Sequence, residues 1–355
     1  MHAFGPAEIA IKREKERRKK VKVSFTQEDL NSIQETIKQK HLTLEEKLGQ
    51  GGFASVYKVT SSIYKTSFAL KIFKDNPDEP NKAFKSFQCE KDALVHLDHP
   101  NIIKLYDSFR DDKFYYLLLE YCSSGSLKSI EEPLSVPQFK CIGSSMLKAI
   151  EYCHSQGYAH CDIKPNNFLI DKTQRIKLSD FGLAQPIRPN ELSKMIGGSK
   201  PYMAPEVVLK QPYDPSKADI WSLGISFFFL GTKKLPWHSQ DLVQLNQEIV
   251  SGLIQFPSTL NLEISKLIYS MINRLPSCRP TASQLLDNSF FISVPTLKII
   301  QNKSNITEGK SGPIFSPRVN LAKLPLLSVE GLRRQRGTVI NRGRPQPTLP
   351  FTSRY

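Results

Sequence analysis

The sequence predicts an α+β fold in two lobes, with a small lobe rich in β-strands followed by a larger, mainly helical lobe. Over residues 42–118, short β-branched and aromatic runs alternate with turns, which is typical of strands. Over residues 126–291, apolar residues recur at helical spacing. Two lobes of different construction leave a cleft at their junction, and such clefts are where small ligands usually bind.

The distribution of charge separates this body from two basic tails. The 355 residues carry a formal net charge of +15, yet residues 1–43 hold ten Lys and Arg against six Asp and Glu, and residues 296–355 hold eleven against two. The segment between them is therefore nearly neutral. We predict a basic leader over 1–43, a folded domain over 44–291 and a basic, largely disordered tail over 292–355.

Within the domain, the small lobe is predicted over 44–121 and the large lobe over 122–291. Strands of the small lobe are predicted at LTLEEKLG, SVYKVT, SFALKIF and FYYLLLEY, with one helix over Asn81–Leu97 before the last of them. In the large lobe, the clearest helices are predicted over Phe139–Cys153 and Asp219–Leu230.

The leader is predicted to contain one short helix. Within Asp29–Gln39, the residues Leu30, Ile33 and Ile37 follow a three-and-four spacing that suits a helix packed on the body. The stretch Ile11–Val23 is too charged to bury a face, so it suits a solvated leader, a nuclear-import signal or a contact with an anionic surface.

The C-terminal tail leaves two interpretations open. The segment Arg333–Pro347 suits either a docking or phosphorylation segment around Thr338 or a basic solubilising tail. An anionic partner for the two tails, such as a nucleic acid, would be an accessory activity, because no aromatic platform or zinc ligand set accompanies them.

Cysteine usage and hydropathy bear on the compartment. The six cysteines form no C-x-x-C pair and no secretory leader precedes them, so we expect reduced thiols and a cytoplasmic or nuclear location. The most apolar stretch, Ile220–Gly231, falls well short of the roughly 20 residues of a membrane helix. We therefore expect no membrane span.

A glycine-rich segment and a lysine-bearing strand indicate a phosphate site. The run GQGGFASV, from Gly49 to Val56, lies between two predicted strands, and glycines let the backbone approach a polyphosphate closely. It departs from G-x-G-x-x-G because Ala54 takes the place of the third glycine, which predicts a stiffer loop. Lys71 lies among apolar neighbours in the next strand and needs anionic partners, for which Glu90 at the start of EKDALVHL is our candidate.

Two polar motifs follow in the large lobe. HCDIKPNN contains Asp162, Lys164 and Asn167, and LSDFG contains Asp180. Two carboxylates and an amide placed in this way orient a hydroxyl and hold Mg²⁺, which prefers oxygen ligands and keeps phosphate and water in its shell.

With these motifs in order, the chain resembles the eukaryotic protein kinases over about residues 44–291. The resemblance implies the bilobal kinase fold and transfer of the γ-phosphoryl of ATP to protein hydroxyls. It implies that Lys71 contacts the α- and β-phosphates and pairs with Glu90. Asp162 accepts or orients the substrate hydroxyl proton, and Lys164 neutralises the γ-phosphoryl group.

The resemblance also implies the ligand-binding residues. Asn167 and Asp180 are expected to hold the magnesium ions. Leu119 falls at the gatekeeper position, before a hinge of Glu120, Tyr121 and Cys122. The residues implied to contact the nucleotide are Leu48, Gly49, Gln50, Gly51, Gly52, Phe53, Ala54, Ser55, Val56, Ala69, Lys71, Glu120, Cys122 and Leu169.

Other positions bear on the type of kinase. A lysine two residues after the catalytic aspartate, here Lys164, resembles the pattern of serine/threonine kinases. In that family a hydroxyl at the position of Ser199 forms hydrogen bonds with the catalytic aspartate and lysine. Glu206 and Arg279 match a structural ion pair. The glycine-rich segment is faintly similar to those of polo-like and calcium/calmodulin-type kinases, and the subfamily stays open.

The sequence departs from the family before the catalytic aspartate, where Cys161 replaces the usual arginine. That arginine pairs with a phosphate on the activation segment, which a cysteine cannot do. We therefore predict that activity does not require phosphorylation within Leu183–Met203, although Ser193 is present. Basophilic kinases commonly carry acidic residues just past the hinge and just before the metal-binding asparagine. This chain has the neutral Ser126 and Asn166 there, so the sequence does not support a preference for substrates with arginine upstream of the target residue.

Two other functions compete with an active kinase. The first is a pseudokinase or ATP-binding scaffold acting through its basic tails, which would usually have lost a metal or base residue. The second is the anionic-surface binder. Because all the expected catalytic positions are filled, the sequence favours an enzyme whose partners are protein substrates with Ser or Thr acceptors. The oligomeric state is not predicted.

Overall fold

The computed structural model describes residues 24–75, 80–239 and 241–292. The two tail segments singled out above, Ile11–Val23 and Arg333–Pro347, lie outside the described residues.

The small lobe is built on one antiparallel sheet of five strands in the order β1-β2-β3-β5-β4. The bounds are Leu42–Gln50 for β1, Ala54–Ser61 for β2, Ser67–Phe73 for β3, Leu105–Arg110 for β4 and Tyr115–Glu120 for β5. Four of these strands correspond to the predicted runs. The fourth strand in sequence, β4, was not among them, because its burial is only partial throughout and it carries no continuous apolar run.

The two faces of β3 meet different cores, as the alternation of strand side chains requires. Phe68, Leu70 and Ile72 belong to an outer cluster, whereas Ala69 and Phe73 belong to the main core. Lys71 shares the second face. This alternation places the lysine among apolar side chains on the face that leads to the cleft.

Helix α1, Gln27–Lys38, covers the outer face of the sheet. It begins with a capping box, in which Thr26 accepts from the Asp29 amide and Asp29 accepts from the Thr26 amide. Ile33 and Ile37, which the sequence predicted on one face, are fully buried in the outer cluster. Burial of each such side chain contributes roughly 1.5–3 kcal/mol, so α1 is an integral part of the lobe.

Helix α2, Lys82–His96, matches the helix predicted over Asn81–Leu97 and packs on the opposite face of the sheet. Phe87 of α2 contacts Phe73 of β3 edge to face, with ring centroids 5.7 Å apart. This packing directs Glu90, one turn further along, toward the lysine of β3.

The large lobe is organised around two long helices. Helix α3, Val136–Ser155, extends beyond the predicted Phe139–Cys153 because Ser135 and Gln138 form a capping box ahead of it. The later helix α5, Pro215–Thr232, is buried nearly all round and starts from the Asp214 cap with proline at its first position.

The shorter elements complete the lobe. They are β6 (Tyr158–Ala159), β7 (Phe168–Ile170), β8 (Ile176–Leu178), β9 (Gln185–Pro186), α4 (Pro205–Val208), α6 (Leu242–Ser251), α7 (Leu262–Met271), α8 (Ala282–Leu286) and α9 (Ser289–Ile292). Among the described residues, no helix combines the length and the apolar character needed to cross a membrane.

The β7–β8 hairpin positions the site at the junction of the lobes. The loop His160–Asn167 runs directly into β7, and Asp180 lies two residues after the end of β8. The hairpin also meets the small lobe, since the Ile103 amide donates to the Leu178 carbonyl at 2.9 Å. Residues far apart in sequence are thereby brought to one edge of the cleft.

Candidate active site

The buried carboxylate of Asp219 fixes the start of the loop His160–Asn167. Asp219 of α5, which is 1% exposed, accepts hydrogen bonds from the backbone amides of His160 and Cys161, each at 2.8 Å. Cys161 has a left-handed backbone with φ of 63°, a conformation that these amide bonds hold in place. Sequence reasoning missed Asp219, although a lone acidic residue within the apolar run DIWSLGI was a usable signal.

Asp162 is oriented by three neighbours. Its Oδ1 accepts from the Ser199 amide at 2.8 Å and its Oδ2 from Lys164 Nζ at 2.5 Å. The Asn167 amide nitrogen donates to the Asp162 carbonyl at 2.8 Å. The Ser199 hydroxyl accepts from Lys164 at 2.7 Å, so of the two predicted hydroxyl contacts only the one to lysine forms, and the backbone N–H reaches the aspartate instead.

On the other side of the cleft, Lys71 joins two carboxylates. Its Nζ lies 2.6 Å from Glu90 Oε2 and 2.7 Å from Asp180 Oδ1. The side chains of Lys71 and Glu90 are 11% and 1% exposed, whereas that of Asp180 is 48% exposed. The predicted partner of Lys71 is therefore present, and Asp180 opens this charged triad to the cleft.

Asp180 and Glu90 share the ammonium group of Lys71, but their pKa values are shifted in opposite directions. The positive charge of Lys71 lowers the pKa of Asp180 to about 2. Burial raises the pKa of Glu90 to about 7, because desolvation of this enclosed carboxyl outweighs the attraction of Lys71. The carboxylate facing the cleft is thus the one that stays ionised at every physiological pH.

The donor set of Asn167 and Asp180 fits magnesium. The nitrogen of the Asn167 amide is bonded to the Asp162 carbonyl, which leaves its oxygen as the free donor end. Both side chains then offer oxygen atoms, the ligands that Mg²⁺ prefers. In the described part of the chain, no three His, Cys, Asp or Glu side chains cluster as a metal site, so an ion here would complete its shell with phosphate and water.

The glycine-rich segment forms the turn between β1 and β2. The Gly51 amide donates to the Ala54 carbonyl at 2.7 Å, closing the turn. A Cβ atom on Gly49 or Gly52 would meet no atom within 4 Å, so the space beside the backbone is open to a ligand. Ala54 is buried at the start of β2, where a side chain packs on the core.

Several of the apolar residues implied to contact the nucleotide lie in the main core or pack against it. Ala69 pairs with Leu119 across β3 and β5, and both belong to the main core, against which Val56 and Leu169 pack. The remaining predicted nucleotide residues lie on β1, on β2, in their turn and in the hinge. They are Leu48, Gln50, Phe53, Ser55, Glu120 and Cys122.

The hinge carries an ion pair that sequence reasoning missed. Lys177 of β8, whose side chain is nearly buried, lies 2.9 Å from Glu120 Oε2. The Glu120 carboxylate is therefore engaged, and a nucleotide contact at this residue would use its main chain. Lysine in IKL gave no such signal, because the partner is 57 residues away in sequence.

The ion pair predicted between Glu206 and Arg279 is present deep in the large lobe. The guanidinium donates to both carboxylate oxygens, at 2.6 and 2.9 Å, and lies 5.0 Å from the centroid of Trp221. Further bonds run to the carbonyls of Asn273 and Lys217. This pair is far more enclosed than the triad at the cleft.

Comparison with known proteins places this arrangement in a family. Residues 42–291 match the family model described as protein kinase domain. Sperm motility kinase 3A of Mus musculus is 32% identical over 244 residues, which cover 68% of this chain and 48% of that protein.

A plant relative has the same degree of similarity. CBL-interacting protein kinase 30 of Oryza sativa subsp. japonica is 32% identical over 254 residues, covering 69% of this chain and 52% of that protein. The chain spans about half the length of the curated relatives it matches. Its two-lobed fold, its family-model match and these relatives agree, and the chain belongs to the eukaryotic protein kinase superfamily, in the serine/threonine group.

Proposed function

We propose that the protein is an active serine/threonine kinase, which transfers the γ-phosphoryl group of ATP to Ser or Thr hydroxyls of protein substrates. The observation that carries the proposal is the joint presence of an oriented Asp162 and an intact Lys71–Glu90–Asp180 triad across one cleft. A chain that had lost turnover would usually lack one of these groups.

The proposed roles follow from the contacts. Asp162, held by the Ser199 amide and Lys164, orients the acceptor hydroxyl and takes its proton. Lys164 adjoins this carboxylate and stabilises negative charge on the transferred group. Lys71 binds the phosphates of ATP, with Glu90 fixing its position.

Magnesium would be held by Asn167 and Asp180, and it supplies charge neutralisation of the phosphates when bound. The protein's own contribution is the alignment of donor and acceptor oxygens for in-line transfer. In this proposal, positioning and charge stabilisation account for the catalysis, and no covalent enzyme intermediate is formed.

The proposal is tested by incubating the full chain with labelled ATP, Mg²⁺ and generic protein substrates, followed by identification of the labelled amino acid. We expect label on Ser and Thr that disappears in Asp162→Asn. ATP binding by the wild type without any transfer would instead support the scaffold function.

We further propose that transfer does not depend on phosphate in the activation segment, Leu183–Met203. The support is Cys161, whose thiol accepts a hydrogen bond from the neutral Gln185 at 3.2 Å. Phosphatase-treated enzyme and Ser193→Ala should both retain transfer well above the Asp162→Asn background. A collapse to that background in both preparations would overturn this part of the proposal.

For the tails, we propose an accessory contact with an anionic partner, in a cytoplasmic or nuclear setting. The support is the basic excess over 1–43 and 296–355. Binding to a polyanion should fall steeply with salt and should be lost when residues 296–355 are deleted. Binding that is insensitive to both changes would contradict it.

A further inference from the structure

A glutamine side chain of the activation segment bonds to the catalytic loop, His160–Asn167, in addition to the Ser199 contacts described above. Gln185 Nε2 donates to Cys161 Sγ at 3.2 Å and to the Tyr213 hydroxyl at 3.3 Å. Gln185 Oε1 accepts from the Ser193 hydroxyl. We call Cys161, Gln185, Ser193 and Tyr213 the neutral cluster, because none of its four side chains carries a charge.

Backbone contacts continue from the cluster toward the active site. Ser193 and Tyr213 form a β-bridge, with amide-to-carbonyl distances of 2.8 and 2.9 Å. The Ser193 hydroxyl accepts from the Met195 amide at 3.1 Å, and the Tyr213 hydroxyl donates to the Met195 carbonyl at 2.8 Å. Four residues later, the Ser199 amide donates to Asp162. The cluster therefore anchors the stretch of chain that orients the catalytic carboxylate.

The surroundings of the cluster disfavour added negative charge. Burial and the nearby Asp219 raise the pKa of the Cys161 thiol well above its usual range, so it stays protonated. Burial likewise raises the pKa of Tyr213. Two carboxylates act on Cys161: Asp219, which accepts from the Cys161 amide at 2.8 Å, and the neighbouring Asp162. The groups bonded to the Ser193 hydroxyl are an amide oxygen and a backbone N–H, not a guanidinium.

We propose that Gln185 is a positioning residue, which holds the activation segment against the catalytic loop without a phosphate, and that negative charge at Ser193 releases the segment and lowers activity. The inference rests on the proposed kinase function. The proposed effect of phosphorylation on activity is opposite to the usual one, in which the added negative charge orders the segment by pairing with arginine. A negative group on Ser193 loses the donor bond to Gln185 and faces the amide oxygen that accepted it.

The first test compares Gln185→Leu with Gln156→Leu, a change at an exposed glutamine that ends α3. Gln185→Leu removes all three side-chain bonds, so we expect kcat/KM for a protein substrate to fall about tenfold or more. The KM for ATP should change less than about twofold, since the triad is untouched, and Gln156→Leu should match wild type. An unchanged kcat/KM, or an equal loss of ATP affinity, would overturn the positioning role.

Hydrogen exchange keeps this test separate from the kinase proposal. In Gln185→Leu, the amides of residues 193–199 should exchange faster than in wild type, whereas those of α3 should not. If the wild type transferred no phosphate, the kinase proposal would fail, yet the exchange data would still decide whether Gln185 anchors the segment. Equal exchange in both proteins would overturn the inference.

The second test concerns the sign of the charge effect. Ser193→Asp should lower transfer below that of Ser193→Ala, because both lose the hydroxyl but only one adds charge. In a Cys161→Arg background, the order should reverse, since a guanidinium at that position pairs with the carboxylate. Ser193→Asp more active than wild type in the native background, or the same order in both backgrounds, would contradict the proposal.

Discussion

Two sites in this molecule pair a basic residue with a buried carboxylate, one in the core of the large lobe and one at the cleft. They differ in how far the charged groups are enclosed by the protein. In the large lobe, Arg279 is fully buried and donates to both oxygens of Glu206, and two backbone carbonyls accept two further hydrogen bonds from it. At the cleft, Lys71 serves two carboxylates, and Asp180 remains half exposed.

This difference indicates that Glu206–Arg279 stabilises the fold, whereas the triad around Lys71 is open to a ligand. A pair that is enclosed by the core is closed to a ligand, and removing one partner leaves an uncompensated buried charge. When both carboxylates are ionised, the triad has one more negative charge than positive, and it opens to the cleft, so it is suited to bind an additional cation. Removing Lys71 should therefore affect chemistry, and removing Arg279 should affect folding.

The largest effect is expected from Lys71→Met. Transfer from Mg-ATP should fall by about 10²–10³-fold or more, because the variant loses the cation that binds phosphate. The measurement is the initial rate of label transfer at saturating ATP. Lys74→Met is the matched control, since Lys74 pairs with Asp29 outside the site. Equal losses in the two variants would contradict the assignment.

Arg279→Met should act on the free energy of unfolding. We expect destabilisation of about 3–5 kcal/mol, because Glu206 is left charged and unpaired in the core. Urea denaturation provides the measurement. The double variant Glu206→Leu with Arg279→Met should be no less stable than Arg279→Met alone, and a further loss of several kcal/mol would refute the unpaired-charge explanation.

Ile33→Ala tests stability away from both sites. It should cost about 2–5 kcal/mol, since Ile33 is fully buried between α1 and the sheet. The control is Ile63→Ala at an exposed position of the same lobe, expected within about 0.5 kcal/mol of wild type. Transfer per folded molecule should be retained in both, and comparable unfolding energies for the two variants would argue against α1 as part of the lobe.

The smallest effect is a pH dependence from Glu90. Its pKa is raised to about 7, so the carboxylate that pairs with Lys71 is charged above that pH and neutral below it. The kcat/KM for ATP reports the free enzyme, and it should fall about tenfold per unit below pH 7. In the Glu90→Gln variant, kcat/KM for ATP should be lower at high pH than in wild type and should not show this fall below pH 7. A limb that persists unchanged in the variant would assign the titration to another group.

Much of this arrangement was predictable because each motif carries its own local chemistry. The strands, the helices, the catalytic loop and the pairs Lys71–Glu90 and Glu206–Arg279 follow from residue type and order. The contacts that escaped prediction are long-range ones. Asp219 reaches Cys161 of the catalytic loop from 58 residues later in the chain, and Gln185 has an ordinary sequence context in a short strand.

The strand β4 escaped for a different reason, since its side chains are only partly buried and its pattern is weak. The left-handed backbone of Cys161 is likewise absent from any propensity, because the Asp219 bonds impose it. In each case tertiary contacts, not local preference, decide the structure.

The distinction between a catalytic Lys71 and a structural Arg279 is tested most directly by measuring transfer rate and melting temperature on the same preparations of Lys71→Met and Arg279→Met. Transfer would be assayed below the melting temperature of both variants. We predict that Lys71→Met loses transfer while melting within a few degrees of wild type, and that Arg279→Met melts much lower while its folded fraction still transfers phosphate. Lys71→Met with wild-type transfer, or Arg279→Met inactive at unchanged melting temperature, would contradict it.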